Sequence, residues 1–153
     1  MEMNTFKQEA ILGMVDMGRS PGTFPGVLAS DLSAPVVAGQ FVKLVDQAGP
    51  GLRFEDCDAD TDHAFGVVVY DAKDGSRDKD EAVEVAGNGD VVFLRATGAI
   101  GAGVQVALDT SEIGGVTATL SAVAIVGLAL DKAAADGDLI RVKLTTDIQA
   151  VGS

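Results

Sequence analysis

The sequence contains a single cysteine, Cys57, among its 153 residues. No internal disulfide can form, so stability must come from a packed core. Tryptophan is absent, and the aromatic residues are six Phe and one Tyr. The core must therefore consist mainly of Val, Leu, Ile and Ala, and a core rich in Val favours β-strands. The length fits one domain with a core of its own.

Basic residues are scarce, with 11 Lys and Arg against 23 Asp and Glu and a net charge of −12. Residues 55–90 hold 12 acidic and 3 basic residues, while residues 1–30 hold 3 acidic and 2 basic residues. Proteins that bind nucleic acids neutralise phosphates with clustered Lys and Arg. We therefore expect no nucleic-acid partner, and we interpret the acidic stretch as a solvated face.

Long apolar runs are also missing. No stretch approaches the ~18 to 20 apolar residues that a membrane span needs. The N-terminus lacks the basic region and the apolar run of a secretory signal. We expect no membrane partner and folding in a reducing cytoplasm.

Residues that could perform catalysis are few. His63 is the only histidine, Cys57 precedes it in a polar stretch, and no G-x-S-x-G motif is present. A zinc site would need further ligands of the same kind. The sequence thus predicts no catalytic residue, no cofactor and no metal site, with both side chains in a polar loop.

The stretch DCDADTDH, at residues 56–63, alternates carboxylates like the start of a calcium-binding loop. An EF-hand needs glycine at the sixth loop position and glutamate at the twelfth, where this chain has Thr61 and Val67. An EF-hand is therefore excluded. We expect a polar loop at residues 56–62, and a loose surface cation site is the alternative.

Short apolar segments separated by turn residues follow residue 35, and several alternate apolar and polar side chains as half-buried strands do. This pattern predicts an all-β fold, a small antiparallel β-barrel or sandwich of the jelly-roll or β-tulip type. Gly66 and Gly127, inside predicted strands, indicate bulges or bends. No internal repeat is evident. The nine predicted strands cover residues 36–45, 52–54, 65–70, 82–85, 91–96, 104–108, 116–120, 124–130 and 139–145.

Residues 1–35 are predicted to form an extended N-terminal arm. Apolar residues three and four apart allow a short helix over residues 4–17. The segment that follows contains three prolines between residues 20 and 35, and proline cannot donate to a sheet. We expect this segment to lie outside the sheet, followed by a β-domain at residues 36–146 and a tail at residues 147–153.

The order of the motifs resembles the structural cement, or head decoration, proteins of tailed bacteriophages. The arm motif PGTFPGVLASD is followed by FGVVVYD, by the charged KDGSRDKDEAVEV, by GDVVFLRATGAIGAGVQVALD and by VGLALDKAAADGDLIRVKL. The resemblance spans roughly residues 21–144. One departure from the family pattern is that no acidic residue follows Gly103. This departure leaves the subfamily, and with it the symmetry of assembly, open.

The resemblance implies a protein that binds the outside of an expanded capsid, contacts the major capsid protein and stabilises its subunits. It also implies self-association, with a trimer favoured and a dimer as the alternative. The apolar arm is then the expected capsid contact, through Phe24, Pro25, Val27, Leu28 and Leu32. A tail or baseplate β-module and a small-ligand-binding β-barrel are the alternative functions.

Overall fold

The structure, a computed structural model, describes residues 10–16, 22–49, 51–70, 75–121 and 123–146. This part of the chain forms twelve strands and no helix. The all-β prediction is confirmed, and each of the nine predicted segments overlaps a strand. The strands are β1 (Thr23–Leu28), β2 (Val36–Val37), β3 (Phe41–Leu44), β4 (Arg53–Asp56), β5 (Gly66–Val68), β6 (Ser76–Arg77), β7 (Ala82–Ala86), β8 (Val91–Ala96), β9 (Gln105–Asp109), β10 (Gly115–Thr117), β11 (Ile125–Ala129) and β12 (Leu139–Leu144).

Ten of these strands close into two barrels of five strands each. Barrel 1 has the order β1-β4-β3-β5-β7, and barrel 2 has the order β10-β8-β12-β11-β9. Strands β2 and β6 form a separate two-stranded ribbon. The barrels follow one another in the chain, since β7 ends at Ala86 and β8 begins at Val91.

The two barrels have the same topology. In each, the first barrel strand in chain order pairs in parallel with the third and antiparallel with the fifth. The remaining pairs are antiparallel and join the third to the second, the second to the fourth, and the fourth to the fifth. The chain therefore contains one structural unit twice.

Hydrogen bonds repeat position by position. The Gly39 N–H donates to the Val68 carbonyl at 2.8 Å, and in barrel 2 the Gly103 N–H donates to the Ala129 carbonyl at 2.8 Å. Both glycines have positive φ values, 88° and 81°, which favour glycine. The expectation that no repeat is present is wrong, because the repeat lies in backbone pairing while the paired side chains differ.

Each barrel has its own apolar core. The interior of barrel 1 is formed by Leu28, Val42, Phe54 and Val85 with their neighbours. The larger second cluster holds the interior of barrel 2 together with outer residues of barrel 1. These outer residues pack the first barrel against the second; they include Phe41, Cys57, Ala64, Val67 and Ala86.

The N-terminal segment enters the sheet at β1, so the prediction that it stays outside is wrong. Pro25 pairs with Glu84 of β7 in a strand that also contacts β4. Proline is tolerated here because β4 pairs only with Val27 and Leu28, which leaves no ladder partner for a residue-25 N–H on that side.

The predicted helix over residues 4–17 is wrong for its described part, residues 10–16. This part contains a turn and an antiparallel bridge between Val15 and Val92. Gly13 has a φ of 78°, which a right-handed helix does not contain. Residues 4–9 and 17 lie outside the described residues.

Gly66 and Gly127, the two glycines inside predicted strands, have different structural roles. The pairing of β11 with β9 shifts register between Ile125 and Gly127, so the bulge predicted there is confirmed. At Gly66 no register shift is present; a Cβ atom there would overlap the carbonyl of Ala86. Close approach of β5 to β7 explains this glycine.

The first prediction concerns core packing in barrel 1. By pairing register, Gly26 corresponds to Leu94 and Phe54 corresponds to Val116. A Cβ atom on Gly26 would meet the Phe54 ring, so Gly26→Leu should destabilise the protein by about 1 to 3 kcal/mol through overpacking. The double variant Gly26→Leu/Phe54→Val reproduces the barrel 2 pair and should recover part of that loss. Denaturant unfolding measures both; a single variant as stable as the native protein would contradict the assignment.

Candidate functional site

Five large apolar side chains are notably exposed among the described residues: Phe24 at 41%, Leu44 at 50%, Tyr70 at 39%, Val104 at 38% and Ile113 at 48%. Single exposed apolar side chains are common on soluble proteins. An exposed aromatic side chain beside an unpaired strand edge is more informative, because such edges accept additional strands. Phe24 on β1 meets this description.

The structure separates the five residues of the predicted capsid contact. Phe24 and Pro25 are exposed and Val27 is half-buried. Leu28 and Leu32 are buried in the core of barrel 1, with exposed fractions of 0% and 8%. In this conformation only the first part of the segment presents side chains to a partner.

Three phenylalanines meet at the end of barrel 1 that Phe24 occupies. The Phe24 and Phe65 rings lie 5.2 Å apart at an interplanar angle of 80°, and the Phe65 and Phe54 rings lie 5.1 Å apart. Gly87 lies beneath, where a Cβ atom would be 2.8 Å from the Phe24 ring. Edge-to-face contacts of this kind stabilise by about 0.5 to 1.5 kcal/mol. Phe24 is therefore held in place while part of its ring faces solvent.

The ammonium group of Lys43, on β3, lies among the carboxylates of the acidic loop. The Lys43 Nζ atom lies 3.0 Å from an Asp62 oxygen, 3.6 Å from Asp58 and 3.7 Å from Glu55. Asp62 also accepts the backbone N–H groups of Asp58 at 2.9 Å and Ala59 at 3.1 Å. Lys43 thus supplies positive charge where the sequence suggested a cation site as an alternative, and no residue group able to hold a metal occurs among the residues that the structure describes.

The charges of this cluster stabilise one another. Burial alone would raise the pKa of Asp62, but the Lys43 ammonium and the two backbone N–H groups outweigh it and lower that pKa. Burial alone would lower the pKa of Lys43, but the surrounding carboxylates, Asp62 first, raise it. Both groups are therefore charged at neutral pH.

Cys57 and His63 do not form a catalytic pair in the structure. Cys57 is buried, so its predicted place in a polar loop is wrong; it packs in the cluster between the barrels. Burial raises the pKa of its thiol to about 12, with nearby Asp62 contributing. His63 is exposed, and its Nε2 lies 3.3 Å from the Thr146 carbonyl oxygen.

A groove of about 710 Å³ opens beside the β2–β6 ribbon. Its lining includes Val36, Val68 and Val83, and the charged members among the described residues are Arg77 and Glu84. A small-ligand site usually needs several convergent polar groups. The lining does not provide such a set and does not favour the ligand-binding alternative.

Three basic side chains in the described part, Lys43, Arg53 and Arg141, are paired with carboxylates. Arg53 lies 3.2 Å from Asp80, and Arg141 binds Asp131 through two nitrogens at 2.9 and 2.8 Å. Because carboxylates neutralise these three cations, they are poorly suited to binding phosphate. Within the described ranges, no helix is long and apolar enough to cross a membrane.

Comparison with known families agrees with the sequence resemblance. The phage cement protein family matches the chain over residues 27–144, which span the last two residues of β1 and all of the remaining strands. The chain belongs to the phage cement protein family. No curated protein sequence matches it.

Sequence reasoning could not separate Phe24 from Leu28, since both lie in the same apolar segment. Strand alternation places both on the same face of β1, and they differ because β4 pairs with β1 at Leu28 but not at Phe24. The repeated Ala-Gly turns, with Gly39 and Gly103 before β3 and β9, were the signal for the duplicated barrel. Side-chain divergence elsewhere obscured it.

The second prediction concerns Lys43. Replacement in Lys43→Met leaves Asp62 without its ammonium partner, and we expect a loss of about 1 kcal/mol because the pair is only partly buried. The folded pKa of Asp62 lies below its unfolded value, so this contribution is present above the ordinary carboxyl range and disappears as pH falls through the folded pKa. Denaturant unfolding at several pH values measures the difference. Lys79→Met, at an exposed position, is the control, and an equal loss there would contradict the cluster's role.

The third prediction concerns the thiol. At pH 8 a thiol with a pKa of about 12 has a roughly 1,000-fold lower thiolate fraction than one at its ordinary value of 9.0. An aromatic disulfide reagent should therefore label Cys57 only after denaturation, with Cys57→Ala as the blank. Rapid labelling of the native protein would show that the thiol is accessible.

Proposed function

We propose that this protein binds the outer surface of an expanded phage capsid and stabilises contacts between major capsid subunits. The observation that supports this most strongly is the match to the phage cement protein family across both barrels. A structural role also fits the site, because neither Cys57 nor His63 has a catalytic environment.

Rigidity supports the proposal. Two closed barrels share a continuous apolar cluster, so the ends of the molecule are held at a fixed separation. A clamp between neighbouring subunits requires this property, because a flexible connector would lose conformational entropy on binding.

Charge supports an outer location. The net charge of −12 gives no attraction to packaged DNA, and Lys43, Arg53 and Arg141 are already paired with carboxylates. We therefore propose no nucleic-acid partner and no membrane partner. A cytoplasmic site of synthesis in the host is consistent with a single buried cysteine.

Self-association is part of the proposal. The resemblance to head decoration proteins favours a trimer, with a dimer as the alternative. The outer faces of the two barrels differ in polarity. This difference limits which surfaces two copies of the chain can bring into contact. Mass measurement of the free protein distinguishes these states.

The fourth prediction concerns capsid stability. A ligand that binds only the intact shell stabilises it by RT ln(1 + [L]/Kd), about 2.7 kcal/mol per site at 100-fold excess over Kd. Adding the protein to undecorated expanded heads should raise their melting temperature, at a fixed number of copies per lattice site. An unrelated protein of similar size and charge is the control. Heads that bind the protein at saturation but melt unchanged would contradict a stabilising role.

A further inference from the structure

The parallel pair in each barrel leaves a gap beside the first barrel strand. In barrel 2, β10 pairs with β8 only at Arg95 and Ala96, so the edge of β8 at residues 91–93 has no partner in the barrel. We call this edge the seam of barrel 2. The corresponding seam of barrel 1 is the edge of β1 at residues 23–25.

The chain's own N-terminal segment fills the seam of barrel 2. The Gly13 N–H donates to the Phe93 carbonyl at 2.8 Å, the Phe93 N–H donates to the Met14 carbonyl at 3.0 Å, and the Asp16 N–H donates to the Val91 carbonyl at 2.8 Å. Residues 13–16 therefore act as an added antiparallel strand.

Side chains complete this added strand. Val15 bridges to Val92, and the exposed fraction of Val92 is 0%. At the strand end, an Asp16 carboxylate oxygen lies 3.7 Å from a guanidinium nitrogen of Arg141. The seam of barrel 2 thus binds an apolar side chain, Val15, followed by an acidic side chain, Asp16, that lies beside the basic Arg141.

The seam of barrel 1 lacks such a strand among the described residues. By register, Phe24 corresponds to Val92, and Glu84 corresponds to Arg141. Phe24 is 41% exposed where Val92 is fully buried. The alternation of β1 directs the carbonyls of Thr23 and Pro25 toward this seam, on the same side as the Val27 N–H that donates to the Leu52 carbonyl at 2.9 Å.

Part of the seam is already closed. In barrel 2, Leu12 lies against Gly114, whose Cβ atom would be 2.8 Å from a Leu12 methyl carbon. The residue of barrel 1 that corresponds to Gly114 is Leu52. The Leu52 side chain therefore occupies the space that Leu12 fills in barrel 2. The open part is therefore limited to the position that Val15 takes beside Val92.

We propose that the seam of barrel 1 binds an extended segment of a capsid subunit, with an apolar side chain over Phe24 and a Lys or Arg facing Glu84. The inference rests on the proposed function and names the surface and the partner chemistry. Two main-chain N–H groups of the segment donate to the carbonyls of Pro25 and Thr23, as Gly13 and Asp16 do in barrel 2. Strand addition of this kind gives affinity through main-chain bonds and specificity through alternate side chains.

Charge argues against a second copy's residues 13–16 as the occupant. In that arrangement Asp16 would face Glu84, and two like charges repel. The segment is also already bound to barrel 2 of its own chain, so exchange would empty one seam to fill another. A partner with a basic residue at this place fits, while the chain's own segment does not.

The test places p-benzoylphenylalanine at position 24 of the full chain and irradiates it on expanded heads. The substitution keeps an aromatic ring, so the fold is retained. We expect a covalent adduct with the major capsid protein, identified by mass spectrometry of the crosslinked peptide. The same photoreactive residue at position 113, an exposed position of barrel 2 outside the seam of barrel 1, is the control and should give at least about tenfold less adduct, because the proposed contact is centred on Phe24.

A second measurement uses charge. Glu84→Arg copies the residue of barrel 2 and should weaken binding to heads by about tenfold, while Glu112→Arg, an exposed site with the same charge change, should change it by less than about threefold. Heads that bind the protein with no capsid adduct at position 24, or with an adduct only to a second copy, would overturn the seam proposal alone. Equal effects of the two arginine variants would do the same, and failure of the native protein to bind heads would overturn the proposed function as well.

Discussion

Closure of a five-stranded barrel by one parallel pair is the constraint on which the rest of this structure depends. The first strand of each barrel, β1 or β8, pairs with the fifth strand along its length. It pairs with the third strand only at its C-terminal end. Because the third strand covers only that end, two or three residues of the first strand are left as an open edge. Unpaired backbone groups at such an edge need a partner or water.

The two copies of the barrel satisfy this constraint differently. Barrel 2 is closed by the segment at residues 13–16 and by packing against barrel 1. Barrel 1 has an aromatic end instead, with Phe24 edge-on to Phe65. Pro25 reduces the number of free donors on the edge, and proline at an edge discourages strand pairing between identical copies.

The outer faces of the two barrels also differ. Phe41 and Ala86 of barrel 1 are buried against barrel 2, whereas the residues at the same register positions in barrel 2, Gln105 and Lys143, are exposed. A polar outer face at the end of a repeat stops further stacking, as capping repeats do in solenoid proteins. Within the part of the chain that the structure describes, the seam of barrel 1 is the barrel edge that no added strand covers.

Much of the fold could be predicted from the sequence, because alternating segments such as Leu139–Leu144 indicate half-buried strands directly. The strand at Thr23–Leu28 could not, since its proline is acceptable only where the third strand ends, and that depends on distant pairing. Cys57 was misplaced for a similar reason: its acidic neighbours suggest a solvated loop, while the second barrel covers it. Phe24 and Leu28 lie on the same face of β1, and they differ in exposure because β4 covers the strand at Leu28 and not at Phe24, which also depends on distant pairing.

Cryo-electron microscopy of expanded heads with and without the protein tests the central claim most directly. The account predicts density for two adjoining barrels at regular positions on the outer surface. It further predicts a strand of the capsid subunit running along residues 23–25 of barrel 1. Density confined to the tail, or a surface-bound protein whose barrel 1 seam faces solvent, would contradict the account.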